Sequence, residues 1–252
     1  MIPVSHVSAD HRTWLSVSAL LALFAAAQPA QADMMVDLGI TRLLTTCEPQ
    51  MTVQKQSCQV ISLWRCPDGG ILAQTSWNDQ PEAYESYDRD YNLRFSVRPE
   101  DEVGMLSVTS ISDPRTLSNL LAGGFERTDF RSVVRLILPA PREIDAWQEL
   151  RLTGETVMLD GVELLVMQST SSLAIGTGGQ ESLTEATSYY APLTGMMLGG
   201  SYTMTFQGMV ISDVTADPLA IALPGDPGFL SETPAFCGEN LSQLAPHPGD
   251  AA

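Results

Sequence analysis

The stretch "VMLDGVELLVM" (157–167) places an Asp-Gly pair, residues 160–161, between two apolar runs. This pattern predicts a two-residue β-hairpin, because both central residues of a type I′ turn need a positive φ angle. The turn sequences "PLTG" (192–195) and "QG" (207–208) divide the residues that follow into further short segments. The chain from Thr128 onward is therefore predicted to form a long antiparallel meander.

Runs of β-branched and aromatic residues between turn signals predict the strands. In the meander they are "TDFRSVVRLIL" (128–138), the two arms of the 157–167 hairpin, "LTEATSYYA" (183–191), "MMLGGSYTMTF" (196–206) and "MVISDVTA" (209–216). Upstream, "QVISLWR" (59–65), "YNLRFSVR" (91–98) and "VGMLSVTSI" (103–111) fit strands of a first half. The predicted fold is mainly β, with nine or ten strands in an antiparallel meander that forms a curved sheet or half-open barrel.

One or two short helices accompany these strands. The clearer helix lies in "DPRTLSNLLAGG" (113–124), where Asp113 is expected to cap the N-terminus and Pro114 to occupy the first helical position. Its expected buried face is Leu117, Leu120 and Leu121, and its expected stop is Gly123-Gly124. A second helix is predicted over residues 34–46.

The N-terminus has the features of a secretory signal. An apolar run, "LSVSALLALFAAA" (15–27), precedes the small residues of "AQA" (30–32). We predict a signal peptide over 1–32 and a mature chain that starts at Asp33. The run is shorter than the roughly 20 residues of a membrane span, so no transmembrane segment is expected.

Four cysteines, at positions 47, 58, 66 and 237, are expected to form two disulfides in an exported chain. Their wide spacing differs from the Cys-x-x-Cys pairs of zinc and redox sites. A strand over 59–65 separates Cys58 from Cys66 by about 26 Å, whereas a disulfide needs Cα atoms within about 7 Å. We expect Cys47 to pair with Cys58 and Cys66 with Cys237, which ties the C-terminus to the first hairpin.

The formal net charge of −17 repels nucleic-acid phosphates, so no nucleic-acid partner is expected. Residues 33–240 are predicted to form a single β-rich domain, with "PAPRE" (139–143) as the one candidate seam and 241–252 as a flexible tail. After residue 32 the only histidine is His247, and the sequence has no Gly-x-Ser-x-Gly, His-Glu-x-x-His or phosphate-loop motif. We predict no catalytic residue, metal or cofactor.

Acidic residues and tyrosines alternate in "NDQPEAYESYDRDYN" (78–92). The acids Glu82, Glu85, Asp88 and Asp90 are the candidates for a carboxylate-based hydrolase or for polysaccharide binding. A calcium loop starting at Asp88 is ruled out because its sixth position, which requires glycine, is Leu93. The alternative is a solvated, charged sheet edge that discourages aggregation.

Arginines and methionines supply the remaining candidates. Arg127, Arg131 and Arg135 share one face of a predicted strand, so they are suited to bind a carboxylate or phosphate; the alternative is pairing with acids on a neighbouring strand. Methionine adapts to varied ligand shapes, and the meander contains several. Met158, Met167, Met197 and Met204 are therefore candidates for an apolar ligand-binding surface, with core packing as the alternative.

The succession of the "LDG" hairpin, "SYYAPLTGMM" (188–197) and a further hairpin resembles the C-terminal meander of uncharacterised Gram-negative periplasmic proteins. More distantly, residues 150–215 are similar to the lipoprotein-carrier fold, the half-barrel of LolA and LolB. The resemblance implies a periplasmic sheet that holds an acyl chain or a partner segment. This chain differs from carriers in its two expected disulfides and its few helices.

The sequence thus predicts a non-catalytic periplasmic protein that binds an apolar ligand, such as a lipid, or an envelope protein partner on a curved sheet. The alternative is a carboxylate-based hydrolase or binding protein for envelope polysaccharide.

Overall fold

The computed structural model of the protein describes residues 39–98, 105–135, 142–174, 181–235 and 237. The predicted signal peptide (1–32) and tail (241–252) lie outside these ranges. The helices are α1 (Ile40–Thr46) and α2 (Leu117–Gly123), and the strands are β1 (Glu48–Lys55), β2 (Gln59–Arg65), β3 (Ile71–Trp77), β4 (Gln80–Tyr87), β5 (Leu93–Val97), β6 (Met105–Asp113), β7 (Phe125–Arg135), β8 (Arg142–Leu159), β9 (Val162–Ala174), β10 (Glu181–Ala191), β11 (Met196–Phe206), β12 (Met209–Val214) and β13 (Pro218–Ala222).

All thirteen strands in the described ranges belong to one open antiparallel sheet, which confirms the predicted mainly β fold but exceeds the nine or ten strands predicted. Each strand from β1 to β12 lies beside its neighbours in sequence, whereas β13 returns to pair with β1. Strands β7 and β8, which flank the predicted seam at 139–143, are paired neighbours in this sheet. Neither helix in the described part of the chain is long and apolar enough to cross a membrane.

The 157–167 hairpin forms as predicted. Asp160 and Gly161 have φ angles of 47° and 79° and connect β8 to β9. The carboxylate of Asp160 also accepts a hydrogen bond of 2.8 Å from the backbone N–H of Ile221 in β13. Through this contact the tip of the β8–β9 hairpin meets the edge strand β13.

The sheet curls until its early strands pack against its late strands. The buried residues of this core are Met51 and Val53 of β1, Leu63 of β2, Ile71 and Ala73 of β3, Tyr91, Val162, Leu164 and Val166 of β9, Tyr189 and Ala191 of β10, Met196 and Leu198 of β11, and Ile221 of β13. Each fully buried large side chain contributes about 1.5–3 kcal/mol of transfer free energy. We call β1–β3 and β9–β11 the two packed parts of the sheet.

The outer face of the early strands is covered by both ends of the described chain. Ile40 of α1 packs on Tyr84 and Val97. Along β1, the hydroxyl of Thr52 accepts a hydrogen bond from the N–H of Leu230, and other C-terminal residues bond to Gln54. The packing and hydrogen bonds of these two chain ends explain why every residue from 51 to 55 of β1 is buried.

Helix α2 begins later than predicted. Strand β6 continues through Asp113, so Asp113 and Pro114 are not its cap and first turn. Thr116 occupies the N-cap position, and the carboxylate of Asp90 accepts a hydrogen bond of 3.0 Å from the N–H of Leu117. The helix ends, as expected, before Gly124 in a left-handed conformation. Of the predicted buried face, Leu120 is buried and Leu117 is half-buried, but Leu121 is exposed.

Two disulfides form, as predicted, but the expected pairing is wrong: Cys47 bonds to Cys66 and Cys58 to Cys237. Cys47 and Cys66 flank the paired residues at the open end of the β1–β2 hairpin and have a Cα–Cα distance of 4.0 Å. Strand β1 separates Cys47 from Cys58, which lies in the turn at the closed end. The extended-strand argument that excludes Cys58–Cys66 therefore also excludes Cys47–Cys58.

Candidate functional site

A partly open interior cavity of about 180 Å³ lies between the two packed parts of the sheet. Apolar side chains form much of its wall: Ile61, Leu63, Ile71, Ala73, Leu150, Met197 and Leu198. Polar groups are present as well, namely Thr75, Glu85, Tyr87, Tyr91, Arg115, Gln148 and Ser188. An apolar enclosure with a small number of polar groups is the usual composition of a small-molecule site.

Strand β4 supplies the acidic group of the cavity. Because side chains alternate along a strand, Glu85 and Tyr87 share the face that lines the cavity, whereas Tyr84 packs outside against α1. The hydroxyl of Tyr87 donates a hydrogen bond of 2.7 Å to the carboxylate of Glu85. Burial, followed by the nearby charge of Glu85, raises the pKa of Tyr87, so this hydroxyl stays protonated and continues to donate.

Tyr91 joins the early strands to the turn between β10 and β11. Its backbone has a φ of 64°, and its hydroxyl donates a hydrogen bond of 3.0 Å to the carbonyl of Gly195. The same oxygen accepts a hydrogen bond of 2.7 Å from the N–H of Met197, which also lines the cavity. Burial raises the pKa of Tyr91. The ring thereby fixes Met197 relative to the early strands.

Arg115 is the buried cation of the cavity wall, with only 4% of its surface exposed. Its guanidinium donates to neutral acceptors: the carbonyls of Asp90 and Tyr91 and the side-chain oxygen of Gln148. Among the described residues, no carboxylate oxygen lies within 4 Å of this guanidinium, the distance that defines an ion pair. Burial lowers the pKa of Arg115, although arginine remains charged at any ordinary pH.

Lys55, the only lysine in the sequence, also points inward. It follows Met51 and Val53 on the inner face of β1 and is only 6% exposed. Its ammonium nitrogen lies 3.9 Å from where a β-carbon on Gly199 of the cavity wall would be. Burial lowers the pKa of Lys55 to about 8, against the opposing effects of Glu85 and Asp217.

This lowered pKa predicts a pH dependence of stability. Between pH 8 and the ordinary lysine pKa of 10.5, the unfolded chain binds a proton at Lys55 that the folded chain does not, so the free energy of unfolding rises with pH. Below pH 8 both states are charged, and the folded state bears the full cost of burial. We expect the stability of the natural chain relative to Lys55→Met to rise by at most about 3 kcal/mol across this window.

Denaturant unfolding of both proteins at about pH 7 and about pH 10.5 measures the effect. Tyrosines titrate in both proteins and largely cancel in the difference. A difference in stability that does not change with pH would contradict the burial of a charged Lys55.

The acidic segment is not a sheet edge, because β4 is paired with β3 on one side and β5 on the other. Its acids have separate hydrogen-bonding partners. Glu82 accepts from the side-chain amide of Gln59, Asp88 accepts from backbone and side-chain N–H groups of its own turn, and Asp90 accepts from the start of α2. Only Glu85 lines the cavity.

The arginine row lies away from the cavity on β7. Arg127 pairs with Asp129 and with Glu149 of β8, at 3.0 and 2.9 Å, and its guanidinium lies over the ring of Trp147. Arg131 pairs with Asp145 of β8 at 3.0 Å. The side chain of Arg135 lies outside the described part of the structure. These contacts match the ion-pairing alternative, and ligand binding by this row stays a prediction.

The four candidate methionines do not meet in one groove. Met197 lines the interior cavity. Met167 is buried against Leu120 and Leu150, Met204 is half-buried in β11, and Met158 is 64% exposed near the hairpin tip. A ligand in the cavity would therefore contact Met197 and none of the other three directly.

Sequence reasoning missed Lys55 and Arg115 as site residues. A signal for Lys55 was present, since it continues the every-second-residue pattern of Met51 and Val53. Arg115 had no local signal, because its environment is created by Tyr91 and Gln148, which are distant in sequence.

No protein-family model and no curated protein matches this chain. Among solved structures, the hypothetical lipoprotein YmcC from Escherichia coli matches over 71% of this chain and 88% of its own, with 13% identity and a TM-score of 0.38. The resemblance to lipoprotein carriers stays a prediction.

Proposed function

We propose that this chain is an exported, non-catalytic periplasmic protein that binds an apolar ligand, a single-chain lipid, between the two packed parts of its sheet. The interior cavity is the observation that carries the proposal. Its wall is mainly apolar, yet it contains charged and hydrogen-bonding groups. A chain of methylene groups gains about 0.8 kcal/mol for each one buried against such a wall.

Export is part of the proposal and is supported by the two disulfides, since such bonds persist in oxidising compartments. We propose that the protein is not a catalyst because of the hydrogen bonds that acids of the 78–92 segment make. Asp88 and Asp90 bond to backbone N–H groups that shape a turn and the start of α2, so these carboxylates have structural roles. A glycosidase needs two carboxyl groups that face each other across a cleft.

Binding of 1-octanol, a neutral single-chain probe, tests the proposed function. Calorimetry should detect binding to the natural protein, and mass spectrometry of organic extracts from gently purified protein should show a co-purifying lipid. The substitution Ser188→Leu, at a wall residue of β10, should fill part of the cavity and weaken octanol binding at least about tenfold.

The matched control is Ser171→Leu. Ser171 is also a half-buried serine, lies on the neighbouring strand β9 and is not part of the cavity wall, so octanol binding should persist. If the natural protein binds no octanol and releases no lipid on extraction, the proposed function is wrong.

A further inference from the structure

We propose that the ligand of the interior cavity carries an anionic oxygen headgroup, a carboxylate or phosphate, and that Arg115 binds this headgroup. The inference rests on the proposed function, because it names the polar end of the same ligand. The inference is argued from the two buried cations at the cavity, Arg115 and Lys55, and from the N–H groups of Arg115 that have no partner among the described residues.

Two buried cations, Arg115 and Lys55, lie at the cavity, and several carboxylates act on them from a distance: Glu85 and Asp217 on Lys55, and Asp88, Glu126 and Asp90 on Arg115. Arg115 and Glu85 line the wall, and Lys55 lies beside it next to Gly199. Neither cation has a carboxylate within 4 Å among the residues that the structure describes. Glu85 accepts hydrogen bonds from the hydroxyls of Tyr87 and Ser96 instead, at 2.7 and 3.4 Å. A buried cation without a close counter-charge is costly, and an anionic ligand would offset that cost.

Arg115 also has donors to spare. A guanidinium carries five N–H groups, and three hydrogen bonds involve Nε, Nη1 and Nη2 once each. One N–H on each terminal nitrogen therefore has no partner among the described residues. Spare N–H groups of a guanidinium are suited to donate to the oxygens of a carboxylate or phosphate, the anions that arginine binds in proteins.

The guanidinium is held in place before any ligand arrives. Its acceptors come from the loop before β5 and from β8, and the backbone N–H of Arg115 donates to the side-chain oxygen of Asn92 at 2.9 Å. A preorganised donor loses little side-chain entropy on binding. The spare N–H groups thus favour binding more than those of a mobile surface arginine would.

The net charge of −17 opposes the approach of an anion. Surface charges act weakly beyond a Debye length of about 8 Å at physiological salt, whereas buried groups are screened much less. Arg115 in the cavity wall therefore acts on a bound anion more strongly than the distant surface acids do, and Glu85 in the same wall opposes it.

Octanol, octanoate and octyl phosphate share one chain and differ in their headgroup, so they separate the two parts of the ligand. The cavity of about 180 Å³ has room for about six water-sized volumes of ~30 Å³, which suits a short chain. At about pH 7, we expect calorimetry to show at least one anionic probe bound about tenfold or more tightly than octanol, because charge-assisted hydrogen bonds replace neutral ones. The tighter anionic probe identifies the preferred headgroup.

Arg115→Met tests the assignment to this residue, with Arg127→Met as the control at an exposed ion pair on β7. Arg115→Met should remove the preference for anions and leave octanol binding, whereas Arg127→Met should keep both. A folded Arg115→Met protein that keeps the preference would overturn the role of Arg115. If that variant does not fold, Arg115→Lys keeps the positive charge but lacks the planar guanidinium, and it should reduce the preference for anions.

The comparison in the natural protein separates the two proposals. Equal affinities for octanol and both anions overturn the anionic headgroup and leave the apolar site intact. No binding of any of the three probes, together with no lipid released on extraction, overturns the proposed function, and the headgroup with it.

Discussion

Replacing both Cys58 and Cys237 by serine is expected to lower the free energy of unfolding by about 5 kcal/mol. In the chain-entropy model, a disulfide stabilises the folded state because it restricts the unfolded chain, and its effect grows with the length of the closed loop. This disulfide joins residues 179 positions apart. It also holds the C-terminal residues whose backbone groups bond to Thr52 and Gln54 on β1.

The matched comparison is the double substitution of Cys47 and Cys66. These residues are 19 positions apart, so the same entropy argument gives about 3 kcal/mol. Denaturant unfolding of the two double variants and the natural protein measures both losses. Equal losses, or a larger loss from the shorter loop, would contradict the importance of loop length in this protein.

Gly200→Ala is expected to destabilise the protein by about 3 kcal/mol or to prevent folding. A β-carbon at this position would lie 2.6 Å from a carboxylate oxygen of Asp217, 2.8 Å from the carbonyl of Thr187 and 2.8 Å from the ring of Tyr189. Asp217 cannot easily move away, because it accepts hydrogen bonds from the hydroxyl of Tyr189 and the N–H of Ser201. Overpacking against fixed atoms of this kind costs about 1–3 kcal/mol or more.

The adjacent glycine provides a close control. A β-carbon on Gly199 would meet only the Lys55 ammonium group, at an ordinary 3.9 Å. Gly199→Ala should therefore leave the melting temperature nearly unchanged or raise it slightly, because alanine restricts the unfolded chain. Thermal unfolding followed by circular dichroism measures both variants, and similar melting temperatures would show that the space at Gly200 is not needed.

Local sequence signals predicted the hairpins well and the long-range arrangement poorly. The Asp160-Gly161 turn depends on backbone preferences of two residues, so it was visible in the sequence. The pairing of β1 with β13 depends on residues about 170 positions apart and has no local signal. Strand β1 itself went unrecognised within "CEPQMTVQKQSC" (47–58), and this omission led to the wrong disulfide pairing.

The acidic segment shows how tertiary pairing overrides a polar sequence. Its charges are typical of a sheet edge, yet hydrogen bonds to β3 and β5 place it inside the sheet. The cavity was expected only as an apolar surface. Its cations escaped prediction because a lysine and an arginine are read as exposed unless their neighbours in space are known.

The disulfide arrangement sets a requirement on the order in which the two bonds form. The native bonds join the first cysteine, Cys47, to the third, Cys66, and the second, Cys58, to the last, Cys237. Cys58 must therefore stay reduced until Cys237 is available. An early bond between Cys58 and either neighbour would have to be broken again by thiol–disulfide exchange. Formation of the β1–β2 hairpin before Cys58 is oxidised would avoid this error, because the hairpin brings Cys47 to Cys66 and holds Cys58 at its far end.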